Sequence, residues 1–167
     1  MKSYKGIYGA ILRVVSVGVE VLTGVLLTAL VVIISSQVFS RFILGKTPYW
    51  SEEISLVLVV WFGLLGAGLG VRDGAHLAVE FVVKAMPATA RVVVQRFVYA
   101  VICCFALVMV VSGIRLVMLT TTQYLPATQL PVSVSYLALP LSGVFIFLMS
   151  LFKLTTETPG NGNTEGT

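Results

Sequence analysis

Charged side chains are scarce in this sequence, and their scarcity excludes most classes of soluble protein. Of the 167 residues, 11% are charged and 57% are hydrophobic, and the mean hydropathy is +1.00. Soluble domains carry about a quarter charged residues. A chain this apolar is expected to have lipid as its solvent. The net charge is +4 at pH 7. A nucleic-acid-binding protein concentrates its basic residues on a soluble surface, and this apolar chain offers none, so no nucleic-acid partner is expected.

Residues that hold disulfides, metals or haem are also few. Cys103 and Cys104 are adjacent, so on a helix they point about 100° apart and are not expected to pair. His76 is the only histidine, whereas haem in a four-helix membrane cytochrome is normally held by two. Metal binding would require further thiol or imidazole ligands near the cysteines, and the sequence has none there. We therefore expect no catalytic, substrate-binding or metal-binding residue, no cofactor and no enzymatic activity.

Long uncharged stretches are what the sequence has instead. A helix needs roughly 20 residues to cross the hydrocarbon of a bilayer. The backbone in such a stretch must be helical, because these runs are continuously apolar and lack the alternation of barrel strands. The sequence thus predicts an all-α integral membrane protein, a single domain over residues 1–154. Its four transmembrane helices are expected at about 19–42, 52–71, 89–118 and 132–152.

Two other segments have the pattern of amphipathic helices that lie in the membrane interface. In residues 3–17 apolar side chains recur at helical spacing and the basic ones lie off that stripe, and Gly18 is expected to turn this helix into the first span. In residues 74–86 the polar side chains form one stripe, and Pro87 ends the predicted helix. Residues 155–167 are polar and are expected to be a disordered tail.

The distribution of basic residues predicts the orientation of the chain. With both termini in the cytoplasm, the inner side holds eight of the 11 Lys and Arg residues. These are Lys2, Lys5, Arg13, Arg72, Lys84, Arg91, Arg96 and Lys153. The outer side then holds only Arg41, Lys46 and Arg115. Because cytoplasmic loops carry the excess of Lys and Arg, both termini are expected to be cytoplasmic.

Paired carboxylates open the second span and allow three interpretations. Ser51 could cap the helix, with Glu52 and Glu53 opposing the positive end of its dipole. The two acids could instead pair with Arg41 or Lys46 or contact a partner protein. They could also bind a coupling ion, since paired acids suit cation binding or acid–base work. His76 is likewise either a polar residue on a wet helix face or a contact to a partner or a lipid.

The centres of the four predicted spans hold no ionisable residue. A protein that transports ions or anions by itself usually has such residues, or broken helices, near the middle of the membrane. The chain alone therefore offers no evident substrate path. Close packing of helices is predicted instead at Gly63, Gly66 and Gly70 of the second span, and Pro140 predicts a kink in the fourth.

Several short motifs follow one another in an order typical of one family. They are Arg41-Phe42, Trp50-Ser51-Glu52-Glu53, Gly66-Ala67, Arg72-Asp73-Gly74-Ala75-His76-Leu77-Ala78-Val79-Glu80, Met86-Pro87, Arg91, Leu130-Pro131, Tyr136 and Pro140. From about residue 14 to 152 the chain resembles the small membrane subunit (Q subunit, DctQ-like) of tripartite ATP-independent periplasmic (TRAP) transporters. The motifs are individually common, and the resemblance depends on their order and spacing.

The resemblance implies a role for the whole chain. In such systems a periplasmic binding protein captures an organic anion, such as a carboxylate, sugar acid or sulfonate. A large membrane subunit (M subunit) holds the substrate and sodium sites and moves as an elevator. The small subunit is expected to extend the static scaffold in the bacterial inner membrane. The alternatives are a self-sufficient homo-oligomeric transporter or channel, and a membrane enzyme or redox subunit.

The resemblance also implies roles for particular residues. Arg41, Trp50, Glu52 and Glu53 are expected to form an outer cluster for folding or docking. Arg72, His76 and Glu80 are expected to form an inner cluster that fixes the interfacial helix. Phospholipid head groups are expected to bind Arg72, Arg91 and Arg96.

Overall fold

The computed structural model describes residues 7–73 and 88–156, and the side chains of residues 12–73 and 93–154. The helices are α1 (Ile7–Ile43), α2 (Tyr49–Asp73), α3 (Ala88–Leu119), the short α4 (Ser133–Tyr136) and α5 (Ala138–Thr156). Four stretches are long and apolar enough to cross a membrane: Leu12–Ile43, Tyr49–Asp73, Val93–Leu119 and Ser133–Leu154. The predicted fold class, an all-α membrane protein with four spanning helices, is confirmed.

Two predicted segments fall largely outside this description. The interfacial helix expected over 74–86 lies outside the described residues, as do residues 157–167 of the predicted tail. The first residues of that tail differ from the prediction, because α5 continues to Thr156.

The N-terminal part of α1 also differs from the prediction. Helix α1 continues through Gly18 without a break, so the structure has no separate helix that ends there. Leu12 and Val19 pack against the hydrophobic core, and Ser16 Oγ lies 3.9 Å from Met149 Sδ. These contacts recur every three or four residues on one side of α1, and they hold its first turns in line with the rest of the helix. A single glycine costs a helix only about 1 kcal/mol, which such packing offsets.

The long helices form an open row rather than a closed bundle. Helix α1 packs mainly along α2, whereas α2 and α3 both pack on α5. Burial follows this order, since 39% of the most apolar stretch of the fourth span is buried and only 11% of that of the first. Both broad faces of the row are therefore left to lipid or to other chains.

The core lies where α5 meets its neighbours. It consists of Val71, Ala106, Met109, Phe145, Ile146 and Met149. Glycines set the distance between the helices at this core. A Cβ atom added at Gly68 of α2 would lie 2.6 Å from Phe145 Cδ1, and one at Gly113 of α3 would lie 2.7 Å from Pro140 Cδ. Helices with small residues at such points can approach closely, which is how α5 comes to lie between α2 and α3.

The glycines expected to pack helices are not the ones that do so among the described residues. At Gly63, Gly66 and Gly70 no atom of another described element lies within 4 Å of an added Cβ. Among the described residues of α2, Gly68 is the glycine that packs against another helix, and packing at Gly63, Gly66 and Gly70 stays a prediction. A helix turns about 100° per residue, so Gly68 points about 160° away from Gly66 and Gly70.

The predicted kink at Pro140 also takes a different form. Helix α5 begins at Ala138, which places Pro140 in its first turn, where the missing N–H is tolerated. The interruption lies earlier, at Leu137 between α4 and α5. Trp61 of α2 fastens this region, because its Nε1–H donates a 3.0 Å hydrogen bond to the Val134 carbonyl.

Candidate functional site

Glu53, in the second turn of α2, binds the loop that joins α3 to α4. Its Oε1 accepts a hydrogen bond from the Ala127 N–H, and its Oε2 accepts one from the Thr128 N–H and one from the Thr128 hydroxyl, each of 2.8 Å. Hydrogen bonds to an ionised acceptor are among the stronger ones in proteins. The carboxylate of Glu53 is therefore used to fix a loop.

The loop that Glu53 holds has a compact structure of its own. The Leu125 N–H donates to the Leu130 carbonyl (2.8 Å), the Gln129 N–H to the Leu125 carbonyl (2.9 Å) and the Val132 N–H to the Gln123 carbonyl (2.9 Å). Gln129 has a φ of 55°, in the left-handed region that a non-glycine residue rarely adopts. The loop is thus closed by its own backbone and then anchored to α2.

The outer cluster predicted from the sequence does not form as one unit. Arg41 is exposed and makes no ion pair with any other described residue, and Trp50 is 48% exposed. Glu52 and Glu53 are successive residues of a helix and so face different neighbours. The expected pairing of these acids with Arg41 or Lys46 is therefore not found among the described side chains.

Ser51 also differs from its predicted role as the cap of α2. The helix begins at Tyr49, so Ser51 lies inside the first turn and is 2% exposed. Its Oγ–H donates a 2.7 Å hydrogen bond to the Pro48 carbonyl. Glu52 remains in the first turn, where a carboxylate opposes the positive end of the helix dipole.

Glu52 lies in a groove between α1 and α2. The groove has a volume of about 470 Å³ and is lined by Ile34, Gln37, Glu52, Ser55, Leu56 and Val59. Ser55 is 9% exposed, and its buried Oγ has no hydrogen-bond partner among the described residues. The groove thus combines an apolar wall with the carboxylate of Glu52 and the amide of Gln37.

Arg72, at the opposite end of α2, joins that helix to α1. Its Nη1–H donates to Glu20 Oε2 (2.8 Å), while Nε–H and Nη2–H donate to the two carboxylate oxygens of Asp73 (2.7 and 3.1 Å). The predicted partners of Arg72, His76 and Glu80, lie outside the described residues. Glu20 is not part of the inner cluster predicted from the sequence, although a lone acid in an apolar helix is itself a signal, because such residues usually pair.

Of three further basic residues at this end of the helices, the structure describes the side chains of Arg96 and Lys153 but not that of Arg91. Arg96 on α3 is exposed, and Lys153 Nζ lies 5.4 Å from the centre of the Tyr99 ring. Arg91 belongs to α3, but its side chain lies outside the described ones. Binding of phospholipid head groups by Arg72, Arg91 and Arg96 stays a prediction.

Residues 21–40, 54–71, 97–114 and 133–152, the apolar stretches of the described helices, contain no Asp, Glu, Lys or Arg. Among the described residues no three His, Cys, Asp or Glu side chains come together as a metal site would require. Cys103 is half-buried and Cys104 exposed, and both are free thiols. The structure thus contains two polar contacts that join different elements, and we call them anchors: Glu53 binds the loop between α3 and α4, and Arg72 binds α1. It also contains a groove beside Glu52.

Comparison with known proteins agrees with this architecture. The chain is 33% identical over 134 residues to a TRAP transporter small permease protein of Haemophilus influenzae, which covers 77% of this chain and 80% of that one. It is 25% identical over 138 residues to the sialic acid TRAP transporter small permease protein SiaQ of Vibrio cholerae, covering 81% and 78% of the two chains. A match of 96 residues, 58% of this chain, is 31% identical to the sialic acid TRAP transporter permease protein SiaT of Haemophilus influenzae and makes up 16% of it.

The family match covers most of the described helices. Residues 30–158 match the DctQ component of tripartite ATP-independent periplasmic transporters. Such components are multi-pass proteins of the inner membrane that take part in transport and are not enzymes. The chain therefore belongs to the DctQ family, the small membrane subunits of TRAP transporters.

Proposed function

We propose that this chain is the scaffold subunit of a sodium-coupled TRAP transporter that imports an organic anion. A periplasmic binding protein delivers the anion, and a large elevator-type M subunit holds both the anion and sodium. The small subunit widens the static part of the complex against the membrane. Both of its termini lie in the cytoplasm. Its inner-side arginines Arg72, Arg91 and Arg96 bind phospholipid head groups.

One observation carries this proposal: the described spans have no charged residue at their centres. The charged residues of α2, for example, are Glu52 and Glu53 at one end and Arg72 and Asp73 at the other. A protein that moves an ion or an anion by itself usually has ionisable residues or broken helices at mid-depth. The described spans of this chain supply no charged ligand there, so the transported solute and ion are held by another subunit.

The open row of helices also favours a scaffold role. A self-sufficient channel would enclose a path between its helices, whereas here α1 and α3 lie at opposite edges of a row. The relative SiaT, in which the matched segment is a small part of a longer permease, is consistent with a partner chain of larger size. The two anchors, at Glu53 and at Arg72, keep the row and its outer loop in a fixed shape.

The test is to express this chain with and without the large TRAP subunit of the same organism. We expect the two to co-purify in mild detergent, and uptake of the anion by cells to require both genes together with the binding protein. A matched control is a large subunit from an unrelated TRAP system, which should not be recovered. Uptake that survives deletion of this chain, or failure of the two chains to co-purify, would contradict the proposal.

A further inference from the structure

One face of α2 carries a regular stripe along the whole span. The stripe consists of Glu52, Leu56, Val59, Gly63, Gly66 and Gly70. Successive members are four and three residues apart in turn, an average of about 3.6, which is the length of one helical turn and keeps them on one side of α2. We call this face the α2 stripe.

The described residues leave the α2 stripe uncovered. Leu56 is 67% exposed and Val59 is 46% exposed. No described residue lies within 4 Å of a Cβ added at Gly63, Gly66 or Gly70. The opposite face of α2, which includes Gly68, is the one that packs on α5.

The outer end of the α2 stripe lies at the groove between α1 and α2, which has polar groups without partners. Ser55 Oγ is buried there and makes no hydrogen bond with any described residue. The other buried hydroxyls of the described helices have a partner; Thr23, for example, donates to the Val19 carbonyl and Ser142 to the Ala138 carbonyl, both at 2.7 Å. A buried polar atom without a partner is unfavourable, so Ser55 is the described hydroxyl that a polar group of a neighbouring chain, reaching it through the groove, would stabilise.

The same groove presents an unpaired acid. Neither Glu52 nor Gln37 makes a hydrogen bond with any side chain or backbone group among the described residues, and both line the groove with Ser55. A carboxylate accepts hydrogen bonds and cannot donate them, and an amide and a hydroxyl can complete the set around a cation. The chemistry of the groove therefore fits a lysine or arginine side chain.

We propose that the α2 stripe is the docking face for a transmembrane helix of the large permease subunit, and that a basic side chain of that helix enters the groove and pairs with Glu52. The three glycines let the backbone of that helix approach α2 closely over the inner half of the span. The proposal rests on the function proposed above, because that function requires the large subunit as neighbour.

The charge of Glu52 disfavours a second copy of this chain as the occupant. Two copies in one membrane share an orientation, so a symmetric pairing through the α2 stripe would bring Glu52 of one copy to the same depth as Glu52 of the other. Like charges brought together in this way oppose association. An acyl chain of a lipid is disfavoured too, since it has no polar group for Ser55.

The first experiment measures assembly of glycine variants with the large subunit. A Cβ added at Gly66 has no described atom within 4 Å, so we expect Gly66→Leu to fold and yet to lower recovery of the complex by roughly tenfold or more, because the close approach of the partner helix is lost. Gly24→Leu on α1 is the matched control, since Gly24 also has nothing within 4 Å, and it should assemble normally. Equal recovery of both variants would overturn the proposal.

The second experiment identifies the occupant directly. A photo-crosslinking amino acid at Leu56 or Val59 should give an adduct with the mass of this chain plus the large subunit, and the same probe at the equally exposed Phe105 of α3 should give little. An adduct of twice the mass of this chain would overturn the assignment. So would adducts of equal yield from the probe at Phe105, or the absence of an adduct with the large subunit. Glu52→Lys should reduce assembly more than Glu52→Gln, and the reverse order would contradict a basic partner.

These outcomes distinguish failure of the inference from failure of the proposed function. If the wild-type chain does not co-purify with the large subunit, the proposed function fails. If it co-purifies and the variants of the α2 stripe assemble as the wild type does, only the assignment of the docking face fails.

Discussion

The contact between Gly113 and the start of α5 predicts a specific instability. In the structure a Cβ added at Gly113 would lie 2.7 Å from Pro140 Cδ, 2.9 Å from Pro140 N and 3.1 Å from Leu139 Cβ. Carbon atoms in contact prefer separations of about 3.5–4.0 Å. The nearest atoms belong to the ring and backbone of a proline, which cannot rotate away. Gly113→Ala therefore forces α3 and α5 apart.

The size of the effect follows from two opposing terms. Overpacking of a fitted interface costs about 1–3 kcal/mol. Replacing glycine by alanine inside a helix returns up to about 1 kcal/mol. We expect Gly113→Ala to lower the free energy of unfolding by about 1–2 kcal/mol. Gly63→Ala, where nothing lies within 4 Å of the new atom, should leave stability unchanged or raise it by up to about 1 kcal/mol.

The assay is equilibrium unfolding of the isolated chain in mixed micelles with increasing SDS, followed by circular dichroism. The difference between the two variants isolates the clash, because the helix-propensity term is common to both. We expect Gly113→Ala to unfold at a lower SDS fraction than the wild type and Gly63→Ala at the same or a higher one. Coincident transitions for the two variants would refute the close approach of α3 and α5.

Three further predictions concern the polar anchors. Glu53→Gln should speed hydrogen exchange of the two loop amides that donate to it severalfold, whereas Glu52→Gln should leave their exchange unchanged; no difference between the variants would argue against the anchor. Glu20→Gln should lower stability by at most about 1 kcal/mol in the SDS titration, because the Glu20 side chain is 60% exposed and such pairs are weak. A larger loss would mean that this pair is better shielded than the structure shows. Trp61→Phe should cost about 0.5–1.5 kcal/mol through loss of its hydrogen bond, and the half-exposed Trp50→Phe should cost less; the opposite order would contradict the contact.

Element lengths could be predicted from the sequence because the bilayer sets them. An uncharged run must be about 20 residues long to cross the hydrocarbon, and that requirement places α2 and α3 without any knowledge of their neighbours. The same pattern does not determine whether a helix continues beyond the membrane. Helix α1 passes through Gly18 because Leu12 and Val19 contact the core, and the sequence pattern does not reveal these contacts.

Contacts between distant residues could not be predicted in this way. Glu53 and Thr128 are 75 residues apart, and no local pattern indicates that the one binds the other. The spacing of small residues predicts that helices come close, but it does not say which face of α2 meets this chain and which is left free. Contacts with neighbouring helices make that choice, and Gly68 packs on α5 while Gly66 does not, although only one residue lies between them.

Transport by purified protein in liposomes tests the central claim, that this chain supports transport and holds no solute itself. The chain alone, the large subunit alone and their complex would each be placed in vesicles with a sodium gradient and the loaded binding protein. We predict sodium-driven uptake of the anion by the complex and none by the chain alone. Sodium-driven uptake by the chain alone would contradict the account.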